Sequence, residues 1–506
     1  MVLFLMTAAT KDVWCFLGGS TPFSLSPRSG LVRLTALATV FVLLFRFVPR
    51  AFPRVLAVAL AAAAGGAFYR LMEHTGGLPV YQFDHPAFMH RLWGLSRALP
   101  SLVYYDPSWN AGCVSPYSIA SGLPPVACLL APLWRSGLGV EWYTASLGAI
   151  HIVLVPAICA WAAWLGGTRR SGPIAAALLG LGASHFQFLW AIHFGTMGAA
   201  FCMPFLVVVA AALYAVLWRN DTRPAVVLSL VVSSAIYLSW PASFIMGITV
   251  VPALAISQSR LRGRRLAWIL AAGVAIALLL LPLLLATLRH TDPTGFAAME
   301  TQPVELGRDL LRGWHKLWNS LRSVHPLLIF LGGAGMFFLP DRGARRFFPA
   351  LCLVLILLTG WGQFWKPQFQ LNRAVVPLSF VLILPAAMWV ERAARKRGLL
   401  FTRAIVAAVL CLGGYAAIRS YDNRGPAPYR GMGPETRELT AWLKANTEPG
   451  SRVLFAGATV HGYGHAQASM LPVLSEREMI ACDYYNFSPR RVEYEMPPKA
   501  FRRSPA

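Results

Sequence analysis

The segment Tyr81-Gln82-Phe83-Asp84-His85-Pro86 sets a carboxylate and an imidazole directly before a proline. Proline suits the first position of a helix. Phe88, Leu92, Leu95 and Leu99 then recur at helical spacing, while His90, Arg91 and Arg97 fall on other faces. The pattern predicts an amphipathic helix lying on a membrane surface. Asp84 then stands just ahead of the helix N-terminus, where the helix dipole favours its ionised form. An ionised carboxylate at the water–lipid boundary meets the requirement of a general base. The same position is also that of an ordinary N-cap. His85 is either a partner in that work or a structural neighbour. A second acid, Asp106, lies in Tyr104-Tyr105-Asp106-Pro107-Ser108-Trp109-Asn110-Ala111-Gly112 and reads as exposed. As a turn residue before a proline it too has a plain local explanation. Trp109, with Trp93 and the tyrosines, is either a sugar platform or part of an interfacial aromatic belt.

These residues must be held by what surrounds them, and that is apolar helix. Of 506 residues, 56% are hydrophobic and 13% charged, where a soluble chain carries about 25% charged residues. The apolar residues gather in blocks of roughly 17–23, the length that crosses ~30 Å of hydrocarbon as helix. Membrane helices are expected near 31–48, 54–72, 143–166, 172–190, 196–218, 224–240, 241–257, 266–288, 326–339, 347–364, 375–391 and 399–418. The break at Ser239-Trp240-Pro241 reads as a kink in one long helix or as a hairpin; positive charge on both sides favours the hairpin. The expected architecture is therefore an all-α polytopic membrane protein of about 12 transmembrane helices. It divides into an N-terminal segment 1–30 of unclear role, a transmembrane domain 31–418, and a polar C-terminal module 419–506.

The net charge of +24 sits in short clusters between apolar blocks, which argues against nucleic acid as a partner. Arg169-Arg170, Arg219 with Arg223, Arg260/Arg262/Arg264/Arg265, Arg342/Arg345/Arg346 and Arg392/Arg395/Lys396/Arg397 are separated by even numbers of the expected crossings. Placed inside by the positive-inside rule, they leave loops 73–142, 289–325 and 365–374 and the tail outside. Leu123–Trp134 is apolar but spans only about 18 Å as helix. It reads as an interfacial or re-entrant helix within the outer loop 73–142.

Other polar residues carry weaker signals. His185, Gln187 and His193 fall near the outer boundary and are candidates for a substrate cavity, whereas His151 is deeper and is explained by a bond to neighbouring backbone. His461-Gly462-Tyr463-Gly464-His465 pairs two histidines, but its glycines speak against a helical metal pair. Of eight cysteines, Cys113 and Cys482 both fall outside, so a disulfide between them is open. In the tail, a helix from Glu435 to Asn446 followed by a strand at Ser451–Ala456 suggests a small external α/β module. No P-loop, dinucleotide fingerprint, HExxH or G-x-S-x-G element is present in the sequence.

The order of an early spanning helix, a long outer loop with an acid near its start, a short interfacial helix, and a spanning helix ending in a basic turn before GGTRRSGPIAAALLGLGAS (166–184) resembles the GT-C superfamily of polyprenyl-phosphate-sugar-dependent membrane glycosyltransferases. The likeness covers roughly 54–420 in layout and is similar in particular to poorly characterised bacterial members. It implies transfer of a sugar from a lipid-linked donor to an envelope lipid, glycan or protein at the outer face of a bacterial inner membrane. Asp84 would then match the first-loop acid that activates the acceptor or positions a metal, with Asp106 in support. Many members carry two adjacent acids where this chain has Asp84-His85, which leaves a divalent cation (Mg or Mn) undecided; no other cofactor is implied. The leaving polyprenyl phosphate would need cations. Arg373 is the first candidate, although it could also simply snorkel. Arg308, Arg312, Lys316 and Arg322 in loop 289–325 come next, with Lys366 weaker and Arg91 beside the acid. Two rivals to this reading are a secondary transporter or lipid flippase and a non-catalytic assembly protein. Membrane lipids are expected partners in every case, and the residues do not speak to oligomeric state.

Overall fold

The computed structural model describes most residues between Phe52 and Ile480; it leaves undescribed 1–51, 107–112, 115–120, 291–305, 365–370, 396–405, 407–430, 455–466, 481–506 and shorter gaps. The expected helices near 31–48 and 399–418, Trp109, Lys366, the His461/His465 pair and Cys482 therefore lie outside the described residues, as do the side chains of Cys113, His185, Gln187, His193 and Arg308.

Helix α1 (Phe52–Thr75) leads into a long loop, which holds α2 (His85–Ala98), a hairpin of β1 (Tyr105–Asp106) and β2 (Cys113–Val114), and α3 (Leu123–Arg135). The chain continues as α4 (Tyr143–Leu165), α5 (Ser171–Phe194), α6 (Met197–Leu217), α7 (Pro224–Leu238), the short α8 (Val250–Ile256) and α9 (Arg264–His290). Then come α10 (Leu306–Leu321), α11 (Pro326–Phe337), α12 (Arg342–Gly362) and α13 (Val375–Arg395), the last preceded by a 3-10 turn, Leu371–Ala374. Beyond them, α14 (Pro434–Asn446) and α15 (Leu471–Ser475) flank β3 (Arg452–Leu454), which pairs in parallel with β4 (Glu478–Ile480).

Among the described residues, five helices are long and apolar enough to cross a membrane, and four shorter apolar helices accompany them. The protein is a helical integral membrane protein. α6 forms the centre: its whole apolar window is buried, whereas only 11% of that of α9 is, leaving Leu270, Val274, Leu278 and Leu288 on the outside. Where lipid is as apolar as leucine, helices gain by close backbone approach. Gly332 and Gly335 of α11 supply it, since a Cβ at either would stand 2.7 Å from Leu382 and 2.4 Å from the Pro385 carbonyl of α13. The hairpin reading at Pro241 is supported by Gly247, whose Cβ would lie 2.9 Å from Leu238. In one continuous helix these two residues would stand about 13 Å apart.

At the basic ends of α5 and α13, Glu391 bridges the two helices. Its carboxylate accepts from the backbone N–H of Gly172 at 2.8 Å and of Arg170 at 3.3 Å, and Arg395 donates to it at 2.8 and 3.1 Å. A carboxylate from one helix thus satisfies the open N–H groups of another.

One expectation is overturned. α2 does not lie on a surface: His85 to Leu92 and Gly94 to Ser96 are buried, and only Arg97 is fully exposed. α3 packs on one side of it, and the 3-10 turn Gln467–Met470 packs on another. Its polar side tolerates burial because its histidines are partnered, as described next.

Candidate active site at the outer loop

Asp84 occupies the N-cap position of α2 with helical backbone angles, and Pro86 follows at the helix start, as the sequence predicts. Its carbonyl accepts from Phe88 N–H at 2.9 Å. Its carboxylate, however, makes no capping hydrogen bond, so the plain N-cap explanation does not account for the acid. Asp84 is half-buried and within electrostatic reach of the Tyr143 hydroxyl at the start of α4. His85 is fully buried and hydrogen-bonded through Nδ1 to that same hydroxyl at 3.0 Å, with the two rings edge to face.

The turn joining α5 to α6 presses on this pair from the other side. Gly195 has φ +82, and a Cβ there would stand 2.6 Å from the His85 nitrogen and 2.9 Å from the Asp84 carbonyl carbon. Only glycine combines that conformation with that approach. Gly198, three residues on, meets the turn before α3 in the same way: its Cβ would lie 2.1 Å from the Ser121 carbonyl oxygen. One further turn along, Cys202 lies 3.5 Å from the Gly122 carbonyl and 3.3 Å from the Ser239 hydroxyl. Trp240 follows, and the Arg373 guanidinium sits 5.8 Å from the centre of its ring. The start of α6 is thus tied to the Asp84–His85 backbone through the Gly195 turn before it, and through Cys202 to Ser239, the neighbour of Trp240. In sequence, 289 positions separate Asp84 from Arg373.

Asp106 is placed differently from expectation. It is buried at 3% exposure and pairs with His90 Nε2, which is equally buried. The β1–β2 hairpin delivers it, Asp106 standing opposite Cys113. The exposed turn acid is therefore corrected to a buried clasp between the hairpin and α2. The His90 ring also lies 5.7 Å from that of Trp93, over which Arg97 sits at 4.6 Å. Arg91 is buried on the same helix with its guanidinium 5.4 Å from the Phe88 ring. From the C-terminal module, Arg437 comes close enough to Tyr81 to oppose the effect of burial, which pushes that phenol well above its ordinary value.

Arg312 and Lys316 lie on α10, which touches the 3-10 turn that carries Arg373. Arg312 is ion-paired with Asp309 at 3.8 Å, and the Lys316 ammonium sits 5.2 Å from the Phe364 ring. Partial burial holds the Lys316 ammonium below its ordinary value, with Arg312 adding to the effect. Among the described residues no three His, Cys, Asp or Glu side chains converge. Sequence reasoning missed Tyr143, Gly195 and His90 as parts of the site. The glycine's one signal was its place in a two-residue break between apolar helices.

No family model matches the chain, and no curated protein does. Solved structures do. Arabinofuranosyltransferase AftD from Mycobacteria aligns over 84% of this chain with a TM-score of 0.54 at 17% identity. This chain spans 31% of AftD's length. ArnT from Cupriavidus metallidurans aligns over 84% of both chains with a TM-score of 0.50 at 14% identity. AglB, an oligosaccharyltransferase from Archaeoglobus fulgidus, gives 0.49 over 85% of this chain at 14% identity. The chain shares the fold of AftD and ArnT, in keeping with the GT-C layout that its sequence resembles.

Proposed function

We propose that this protein transfers a sugar from a polyprenyl-phosphate donor to an envelope lipid, glycan or protein at the outer face of a bacterial inner membrane, with the C-terminal module on that same side. The observation that carries the reading is Asp84: a first-loop carboxylate without a capping role, fixed between Tyr143–His85 and the Gly195 turn, in a fold shared with a sugar transferase.

Asp84 takes the proton of the acceptor hydroxyl as its oxygen attacks the anomeric carbon. The new bond is acceptor oxygen to C1, and the bond that breaks joins C1 to the phosphate oxygen. The electron pair leaves with the polyprenyl phosphate, whose charge Arg373 stabilises by charge-assisted hydrogen bonds. The flat Trp240 ring beneath the guanidinium keeps it turned toward an incoming anion. His85 acts through Tyr143 to hold the start of α2, and Asp106 acts through His90 to hold its middle. Both are positioning residues. The fixed backbone of Asp84 matters because general-base catalysis depends on hydrogen-bond reach to the proton being removed.

The test is turnover of the purified chain with lipid-linked sugars, native against Asp84→Asn. Loss of about 10²- to 10⁴-fold is expected for removal of a general base. Equal turnover removes Asp84 from the chemistry, and no turnover by the native chain with any lipid-linked sugar removes the reading itself.

A further inference from the structure

We propose that α10 lies in the plane of the outer membrane boundary and binds the anionic headgroups of the phospholipids there. The inference goes beyond sugar transfer and requires only that the chain spans a membrane. α10 stands between α9, which is long and apolar enough to cross, and the apolar α11, so both of its ends are tied to the bilayer.

The helix carries three distinct faces. The first packs on the protein: Leu317 is buried, and a Cβ at Gly313 would stand 2.2 Å from the Trp361 indole nitrogen at the end of α12. The second turns apolar groups outward, with Leu310 at 52%, Leu311 at 61%, Trp314 at 56% and Trp318 at 37% exposure. At helical spacing these four residues fill one arc of roughly 100°. The third face carries Arg312, His315, Lys316 and Arg322, with Arg308 at the same register. Asp309 is the one carboxylate in Leu306–Leu321, and its 3.8 Å pair with Arg312 is long enough to leave the guanidinium able to fork onto a phosphate.

Tryptophan and leucine presented together suit the hydrocarbon edge of a bilayer. Arg322 and His315 border that apolar arc, and Arg312 and Lys316 stand on the side of the helix away from it. The Arg322 guanidinium lies 5.7 Å from the Trp318 ring and the Lys316 ammonium 5.2 Å from that of Phe364. Charged heads seated over aromatic edges, with their stems along apolar surface, are arranged for the headgroup layer. Charge complementarity therefore selects an anionic lipid surface over a neutral one as the occupant.

The test uses the full chain in phosphatidylcholine vesicles doped with a photoactivatable phosphatidylglycerol or phosphatidylcholine, with adducts mapped by peptide mass spectrometry. Adducts on 306–322 should favour phosphatidylglycerol by about five-fold or more, the equivalent of one well-placed basic side chain at a charged surface. The preference should fall toward unity in R312Q/K316Q/R322Q and in high salt. Should the triple variant fail to fold, K316Q alone and the salt titration of the native chain still decide the matter. Equal labelling by both lipids, or the lack of adducts on 306–322, overturns the proposal. Loss of phosphatidylglycerol adducts on adding 1 mol% polyprenyl phosphate also overturns it, because the helix would then be a donor site. None of these outcomes depends on whether the chain transfers sugar.

Discussion

Replacing Gly195 by alanine tests whether the α5–α6 turn sets the position of Asp84. The added Cβ would meet the His85 nitrogen at 2.6 Å, where ordinary contact begins at 3.4 Å. The obstacle is backbone, not the tip of a flexible side chain, so the turn and the start of α2 must separate by about 1 Å. A displacement of that size in a catalytic group costs on the order of 10²-fold in rate. Alanine at φ +82 also carries left-handed strain of about 1–2 kcal/mol, and that contribution must be subtracted. Gly137, just beyond α3, provides the control: its φ is +84, and nothing lies within 4 Å of where its Cβ would stand. Gly137→Ala should therefore lower the unfolding midpoint with turnover unchanged. Gly195→Ala should lower the midpoint further and cut turnover of a lipid-linked sugar about 10²-fold. Turnover by Gly195→Ala within three-fold of the native value would refute the reasoning, as would an equal loss in both variants.

Removing one partner of the buried His90–Asp106 pair should cost about 3–5 kcal/mol. In a double-mutant cycle, H90F/D106N should be less destabilised than the two single losses together, with coupling of about 1–3 kcal/mol; additive losses would show that the two do not act as a clasp. Arg373→Gln should lower kcat/KM for a lipid-linked donor about ten- to hundred-fold, the worth of a charge-assisted hydrogen bond. Arg373→Lys should recover part of that, and an unchanged kcat/KM in Arg373→Gln would remove this residue from phosphate binding. Glu391→Gln should destabilise the chain by about 2 kcal/mol, through lost attraction to the α5 N-terminus and to Arg395. A midpoint equal to native would show that the bridge adds nothing.

The five long apolar helices were legible because crossing a bilayer is a demand on length and composition, both of which a single chain displays. α6 and α9 fall within a few residues of expectation for that reason. The charge clusters, including Arg169-Arg170 and Arg392/Arg395, likewise mark helix ends directly. What could not be read is contact made over long sequence distance. α2 has the pattern of a surface helix, and nothing near it announces that Gln467–Met470 will cover it. Asp106 looks like a turn acid until the hairpin turns it toward His90, sixteen residues earlier. Gly195 is one glycine among 42; its backbone angle and its nearness to Asp84 belong to tertiary structure. Asp84 itself was legible as a candidate, but that its side chain makes no capping bond is geometry the sequence does not display.

The Glu391 bridge has a mechanical consequence. It fastens α5 to α13 at one extremity, while the opposite extremities of these two rods carry the Gly195 turn and the Arg373 turn. The two helices also pack closely on each other, so the carboxylate pins their register: a slip of one residue would carry it about 1.5 Å along the axis and away from the Gly172 N–H. With that end pinned, the Gly195 turn and the Arg373 turn keep a set separation.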